Sequence, residues 1–114
     1  MISTRVVEGE KKVYINVSGY ITSRDAREFL NNYKQITRGI KSSQYKLVVT
    51  PSIFECENND DIRSVCMALL KTGYKKMYLV DPDDYIMSTM SLGSMEKKLF
   101  FKSVKIVKTK ADAR

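Results

Sequence analysis

The feature that most constrains the fold is a short apolar run set between two helical stripes. The run is Tyr45-Lys46-Leu47-Val48-Val49-Thr50. Successive strand residues point to opposite faces, so an unbroken apolar centre suits an inner strand covered on both sides. Before it, Ala26, Phe29, Leu30, Tyr33, Ile36 and Ile40 recur at the helical period. After it, Ile62, Val65, Cys66, Leu69 and Leu70 do the same. A helix on each side of a buried strand implies crossovers, and crossovers imply parallel neighbours.

The remaining strand signals complete the order. Lys12 to Ser18 places Val13, Ile15 and Val17 on one face. Ile2 to Glu8 is a weaker strand, joined to it as a hairpin across Glu8-Gly9-Glu10-Lys11. Lys76-Met77-Tyr78-Leu79-Val80 is a strand ended by Asp81-Pro82, and Lys102 to Lys108 is the last. Pro51 is expected to stop the central strand or to place its end at the sheet rim, followed by a loop through Glu57. Between Asp83 and Lys98 the pattern predicts a short third helix through Tyr85, Ile86, Met87 and Met90, interrupted at Gly93. The order is β-β-α-β-α-β-α-β. It predicts an α/β fold: a small, mixed, mainly parallel sheet with packed helices and an antiparallel edge. Residues 1–109 read as a single domain, with residues 110–114 as a loose tail.

Helix starts carry their own signals. Thr22 or Ser23 caps the first helix, with Asp25 placed three residues after Thr22 as in a capping box. Asn58 or Asn59 caps the second, with Asp60 and Asp61 in its first turn, where the helix dipole favours acids. Gly39 and Gly73 stand where the two helices should end.

Signatures of catalysis are missing. The 114 residues contain no histidine, the usual base near neutral pH. There is no Gly-rich phosphate loop. Cys66 falls on an apolar stripe, and Cys56 lies among carboxylates that disfavour its thiolate. Glu55, Glu57, Asp60 and Asp61 lack the Gly-containing spacing of a calcium loop. The expectation is a non-enzyme with no cofactor and no metal. No apolar run reaches the 18 to 20 residues of a membrane helix, and no signal-peptide pattern opens the chain. A cytoplasmic protein is expected.

Charge points to partners. The formal net charge is +7, and residues 96–114 hold seven Lys/Arg against two acids. Lys97, Lys98, Lys102 and Lys105, near Tyr74-Lys75-Lys76 and Phe100-Phe101, form the nucleic-acid-binding alternative. Met87, Met90 and Met95 supply an adaptable apolar surface for a protein partner or a second copy of the chain.

Val13-Tyr14-Ile15-Asn16-Val17-Ser18-Gly19-Tyr20-Ile21 is similar to the early strand and Gly-x-Ile/Leu of the STAS family, the anti-sigma-factor-antagonist type of domain. The helix with Ala26, Glu28 and Phe29, then Leu47-Val48-Val49, the helix from Asn59, and Met77-Tyr78-Leu79-Val80 follow in the family's layout. The resemblance spans nearly the whole chain. It implies a protein-binding regulatory or accessory module. Several members of that family are switched by phosphorylation of a serine at the start of the second helix. Here the matching stretch is Cys56-Glu57-Asn58-Asn59-Asp60, and neither asparagine accepts phosphate. Glu57, Asn58, Asn59, Asp60, Asp61 and Arg63 are therefore the expected binding surface, with permanent negative charge where the family has a modifiable group. Local helix stability is the competing reason for the same residues. A structural subunit of a larger assembly is a further alternative.

Overall fold

The computed structural model describes residues 1–81 and 102–109, apart from the side chain of Asn59. Five strands and two helices are described: β1 (Ile2–Val7), β2 (Lys12–Ile21), α1 (Ser23–Arg38), β3 (Lys46–Cys56), α2 (Asn59–Lys71), β4 (Lys76–Val80) and β5 (Val104–Val107). The expected third helix, with Met87, Met90, Met95, Lys97 and Lys98, lies outside the described residues. The strands form one sheet in the order β1-β2-β3-β4-β5. β1 runs antiparallel to β2, and all other neighbours are parallel.

Both faces of the central strand are covered, as its apolar run predicted: Leu47 is 1% exposed and Val48 0%. On one face Val13, Ile15, Leu47, Met77, Leu79 and Val104 pack with Phe29 and Tyr33 of α1 and Val65, Cys66 and Leu69 of α2. On the other, Val48, Tyr78, Val80 and Val107 form a second cluster, with Tyr14 packed against it. Alternation along each strand produces this division. Ile36, expected in the α1 stripe, is exposed. It lies beside Ile2 and Ser3 of β1, the edge of the sheet, where no further strand covers it among the described residues.

Three strand ends differ from expectation. β2 continues to Ile21, and β3 does not stop at Pro51 but runs on to Cys56. Proline is tolerated here for two reasons. The β3–β4 pairs reach only Val49↔Leu79, so Pro51 lies past the point where its missing N–H would be needed on that side. It also adjoins an irregularity: Val17 pairs with Pro51 and Gly19 with Phe54, so β3 carries one residue more than β2 between the two pairs. Gly19 takes φ +71°, a left-handed conformation open to glycine at that slip. β5 begins at Val104, because Lys102 and Ser103 are helical. In the β1–β2 turn the left-handed residue is Lys11, at φ 54°, rather than Gly9.

A part-buried chain of hydroxyls ties the far end of α2 to α1. Tyr33 Oη stands 2.6 Å from both Thr72 Oγ1 and Tyr74 Oη. Thr72 Oγ1 donates to the Ala68 carbonyl at 2.9 Å. Its proton is thereby used, so Tyr33 donates to Thr72 and accepts from Tyr74. Burial pushes both tyrosine pKa values up, most strongly for Tyr74. Both phenols are therefore held neutral.

Candidate functional site

The expected site lies where β2 and β3 end and both helices begin. Thr22 caps α1 with a full capping box: Asp25 N–H donates to Thr22 Oγ1, and Thr22 N–H donates to Asp25 Oδ2, each at 3.0 Å. The Thr22 amide first, and then the Thr22 hydroxyl, favour the carboxylate and hold the Asp25 pKa below the ordinary range. Asn58, rather than Asn59, caps α2, its Oδ1 accepting from Asp60 N–H at 2.9 Å. Asn59 is the first residue of α2.

The strand ends fix the two caps against each other. Glu57 N–H donates to the Ile21 carbonyl at 2.8 Å, joining the exit of β3 to the exit of β2. Ser23 Oγ donates to Asp61 Oδ2 at 2.7 Å. Ser23 N–H donates more weakly to Glu57 Oε2, at 3.4 Å. The first residue of α1 is thus held by two acids from the start of α2. Asp61 is half-buried, whereas Glu57, Asn58, Asp60 and Arg63 are exposed. Arg63 Nη1 pairs with Asp60 Oδ1 at 3.6 Å, one turn along α2. Pairs this exposed contribute little to stability, at most about 1 kcal/mol.

The structure brings Glu57, Asn58, Asp60, Asp61 and Arg63 together with Ser23, a residue the sequence marked only as a cap. Nothing local in the sequence joins Ser23 to Asp61, which are 38 positions apart. Cys56 is half-buried beside them. Burial first, and then the Asp61 carboxylate, push its thiol pKa up, so it is a poor nucleophile. Cys66 is buried in the core, and neither cysteine forms a disulfide. Among the described residues no three His, Cys, Asp or Glu side chains are grouped to hold a metal ion. No described helix is long and apolar enough to cross a membrane. Of the nucleic-acid alternative, Lys102 and Lys105 are exposed and stand by Lys75 and Lys76 at the opposite end of the sheet from the acidic caps.

No family model matches the sequence, and a search of curated proteins found no match. Solved structures do match. An uncharacterized protein of the DUF3478 family with a SpoIIAA-like fold, from Shewanella loihica PV-4, aligns with TM-score 0.66 and 13% identity, covering 99% of this chain and 89% of that one. The Bacillus cell fate determinant SpoIIAA in its phosphorylated form aligns with TM-score 0.63 and 9% identity, over 99% and 96% of the two chains. The anti-sigma factor antagonist SpoIIAA in its unphosphorylated form gives 0.57 and 9%, over 98% and 92%. A mainly parallel five-stranded sheet with both described helices on one face, aligned over almost its full length to these structures, has the STAS-like, SpoIIAA-like fold.

Proposed function

We propose that the chain is a non-enzymatic protein-interaction module of the STAS type, with a regulatory or accessory role. Its partner docks on the entrance of α2, contacting Glu57, Asn58, Asn59, Asp60 and Arg63. The observation that carries this reading is the rigid pairing of the two helix starts. Ser23 donates to both Asp61 and Glu57, so the exposed Asp60 and Glu57 are presented from a braced frame. Little ordering cost then remains for binding. The solved neighbours include an anti-sigma factor antagonist, which supports protein binding as the use of such a surface. With asparagines at positions 58 and 59 the charge of this surface does not depend on phosphorylation of a serine there. A partner with a basic contact surface fits it.

The test is capture of binding partners from the native host on tagged protein, with nuclease treatment, followed by affinity measurement on the purified complex. Asp60→Lys together with Glu57→Lys is expected to weaken binding at least tenfold. Both side chains are exposed, and Asp61 is left in place to hold Ser23. Unchanged affinity in that double variant removes the α2 entrance as the docking surface.

A further inference from the structure

Lysines from four strands converge at the end of the sheet opposite the acidic caps. Lys12 pairs in register with Lys46, and Lys46 with Lys76. In-register residues of neighbouring strands share a face, so these three form a row with about 4.8 Å between strands. The face is the one carrying Tyr14, Val48 and Tyr78, each two residues further along its strand. Lys105 pairs with Tyr78 and extends the same face on β5. Lys75, Lys76, Lys102 and Lys105 line one cleft of about 440 Å³, and none of its described lining residues is acidic.

This arrangement has no structural use visible among the described residues. Lys12 alone of the row has an acid nearby, Glu10 at 3.9 Å. Lys46, Lys75, Lys76, Lys102 and Lys105 form no ion pair with a described residue. The ends of α1 and α2 already carry Arg38 and Lys71 in their last turns, so the strand lysines are not needed to offset the helix dipoles. Like charges on adjacent strands repel, and these stand well inside the Debye length of about 8 to 10 Å. An anion laid along the row removes that repulsion.

We infer that this lysine rim binds a strip of closely spaced phosphates, as presented by a nucleic-acid backbone or by a free oligophosphate. The Lys12 side chain is only 16% exposed and closes the row beside Glu10, whereas Lys46 is half-buried and Lys76 and Lys105 are exposed. From Lys46 to Lys105 the rim covers two strand spacings, about 10 Å, room for about two successive phosphates. Tyr78, the aromatic among the described residues that line the cleft, is buried and offers no face for base stacking, so the lysines recognise phosphate. The site differs from the α2 entrance in position and in sign, so the two stand or fall separately.

The experiment measures binding of a short labelled single-stranded DNA of mixed sequence across a salt series, with tripolyphosphate as competitor. A Lys46→Gln, Lys76→Gln, Lys105→Gln variant is compared with a charge-matched control, Arg24→Gln, Arg27→Gln, Lys34→Gln, on the exposed face of α1. The rim variant is expected to bind at least tenfold more weakly. Its slope of log affinity against log salt should be shallower by about 1.4, from about two lost phosphate contacts. The control should retain most of the affinity. Efficient displacement by tripolyphosphate identifies a compact oligophosphate as ligand, and its failure to displace identifies the polymer; either supports the phosphate strip. Equal weakening in both variants, or no salt-dependent binding of either probe by the parent chain, overturns it.

Discussion

At the end where the parallel strands finish, three acids have partners of their own. Asp61 takes the Ser23 hydroxyl, Glu57 faces the Ser23 amide, and Asp60 is paired with Arg63. At the end where the strands begin, the structural bonds are made by neutral hydroxyls: Tyr74 to Tyr33, Tyr33 to Thr72, Thr72 to Ala68. The lysines there bind no described acid apart from Lys12 with Glu10. Charge is part of the frame at the acidic end and is left over at the basic end. The difference separates a charged residue that explains itself locally from one that calls for a ligand. It also explains why the acidic surface is suited to a fixed protein interface and the lysine rim to a flexible, phosphate-bearing ligand.

The largest effect should come from the hydroxyl chain. Tyr33→Phe removes the group in the middle and leaves the half-buried Tyr74 hydroxyl without its acceptor, at a cost of about 2 kcal/mol. Tyr74→Phe leaves the Tyr33–Thr72 bond in place and should cost about half as much. Denaturant unfolding of the two variants decides it, and a larger loss for Tyr74→Phe would reverse the assigned direction of the chain. The same network fixes an alkaline limit. A folded tyrosine with a raised pKa contributes fully below its ordinary value of 10.0, and that contribution is lost as pH rises above it. Tyr33→Phe and Tyr74→Phe should each reduce the fall in stability between neutral and strongly alkaline pH.

The next effect belongs to the acidic end. A double-mutant cycle with Ser23→Ala and Asp61→Asn should give a coupling of about 1 kcal/mol, for a charge-assisted bond that is only half-buried. Zero coupling would mean that the Ser23–Asp61 bond does not hold the two helix starts together. Thr22→Ala should lose about 1 kcal/mol as an ordinary cap deletion. Asp25 adds a pH signature of opposite sense to the tyrosines. Its folded pKa is lowered, so its contribution is complete above the ordinary value of 3.8 and fades as pH falls through the lower folded value. Thermal melts of Asp25→Asn should lose less stability than the parent over that acidic window.

The smallest effect is at the lysine rim, and its sign matters more than its size. Lys76→Gln should change stability by less than about 0.5 kcal/mol, in the stabilising direction at low salt, and the change should vanish at high salt. A clear destabilisation would show that Lys76 has a structural partner and would erase the contrast between the two ends.

Much of the acidic end was legible in the sequence, because caps are local. Thr22 with Asp25 and Asn58 with Asp60 sit within three residues of each other, and their chemistry follows from spacing. The helical stripes and the apolar centre of β3 were legible for the same reason. Two things were not. Pro51 reads as a terminator unless it is known that β4 has already parted from β3 at Val49. The row of Lys12, Lys46 and Lys76 depends on the lengths of two crossovers, residues 22–45 and 57–75. The C-terminal excess of positive charge signalled Lys102 and Lys105, but no local pattern announces that Lys46 and Lys76 join their end of the sheet. Ser23 was missed as a member of the site because its partner is an acid on the other helix.

The sheet order has a consequence for how the chain acquires its shape. Strands that are neighbours in space are also successive in the chain, from β1 through to β5. No strand has to be inserted between two that are already paired. During synthesis each strand emerges after the one it will join, so the growing sheet always offers a single open edge to the next segment. Loop closure is then a series of moderate steps rather than one long search, which favours rapid assembly for a largely parallel topology. The last edge to be covered is that of β4, which stays exposed until β5 has been made.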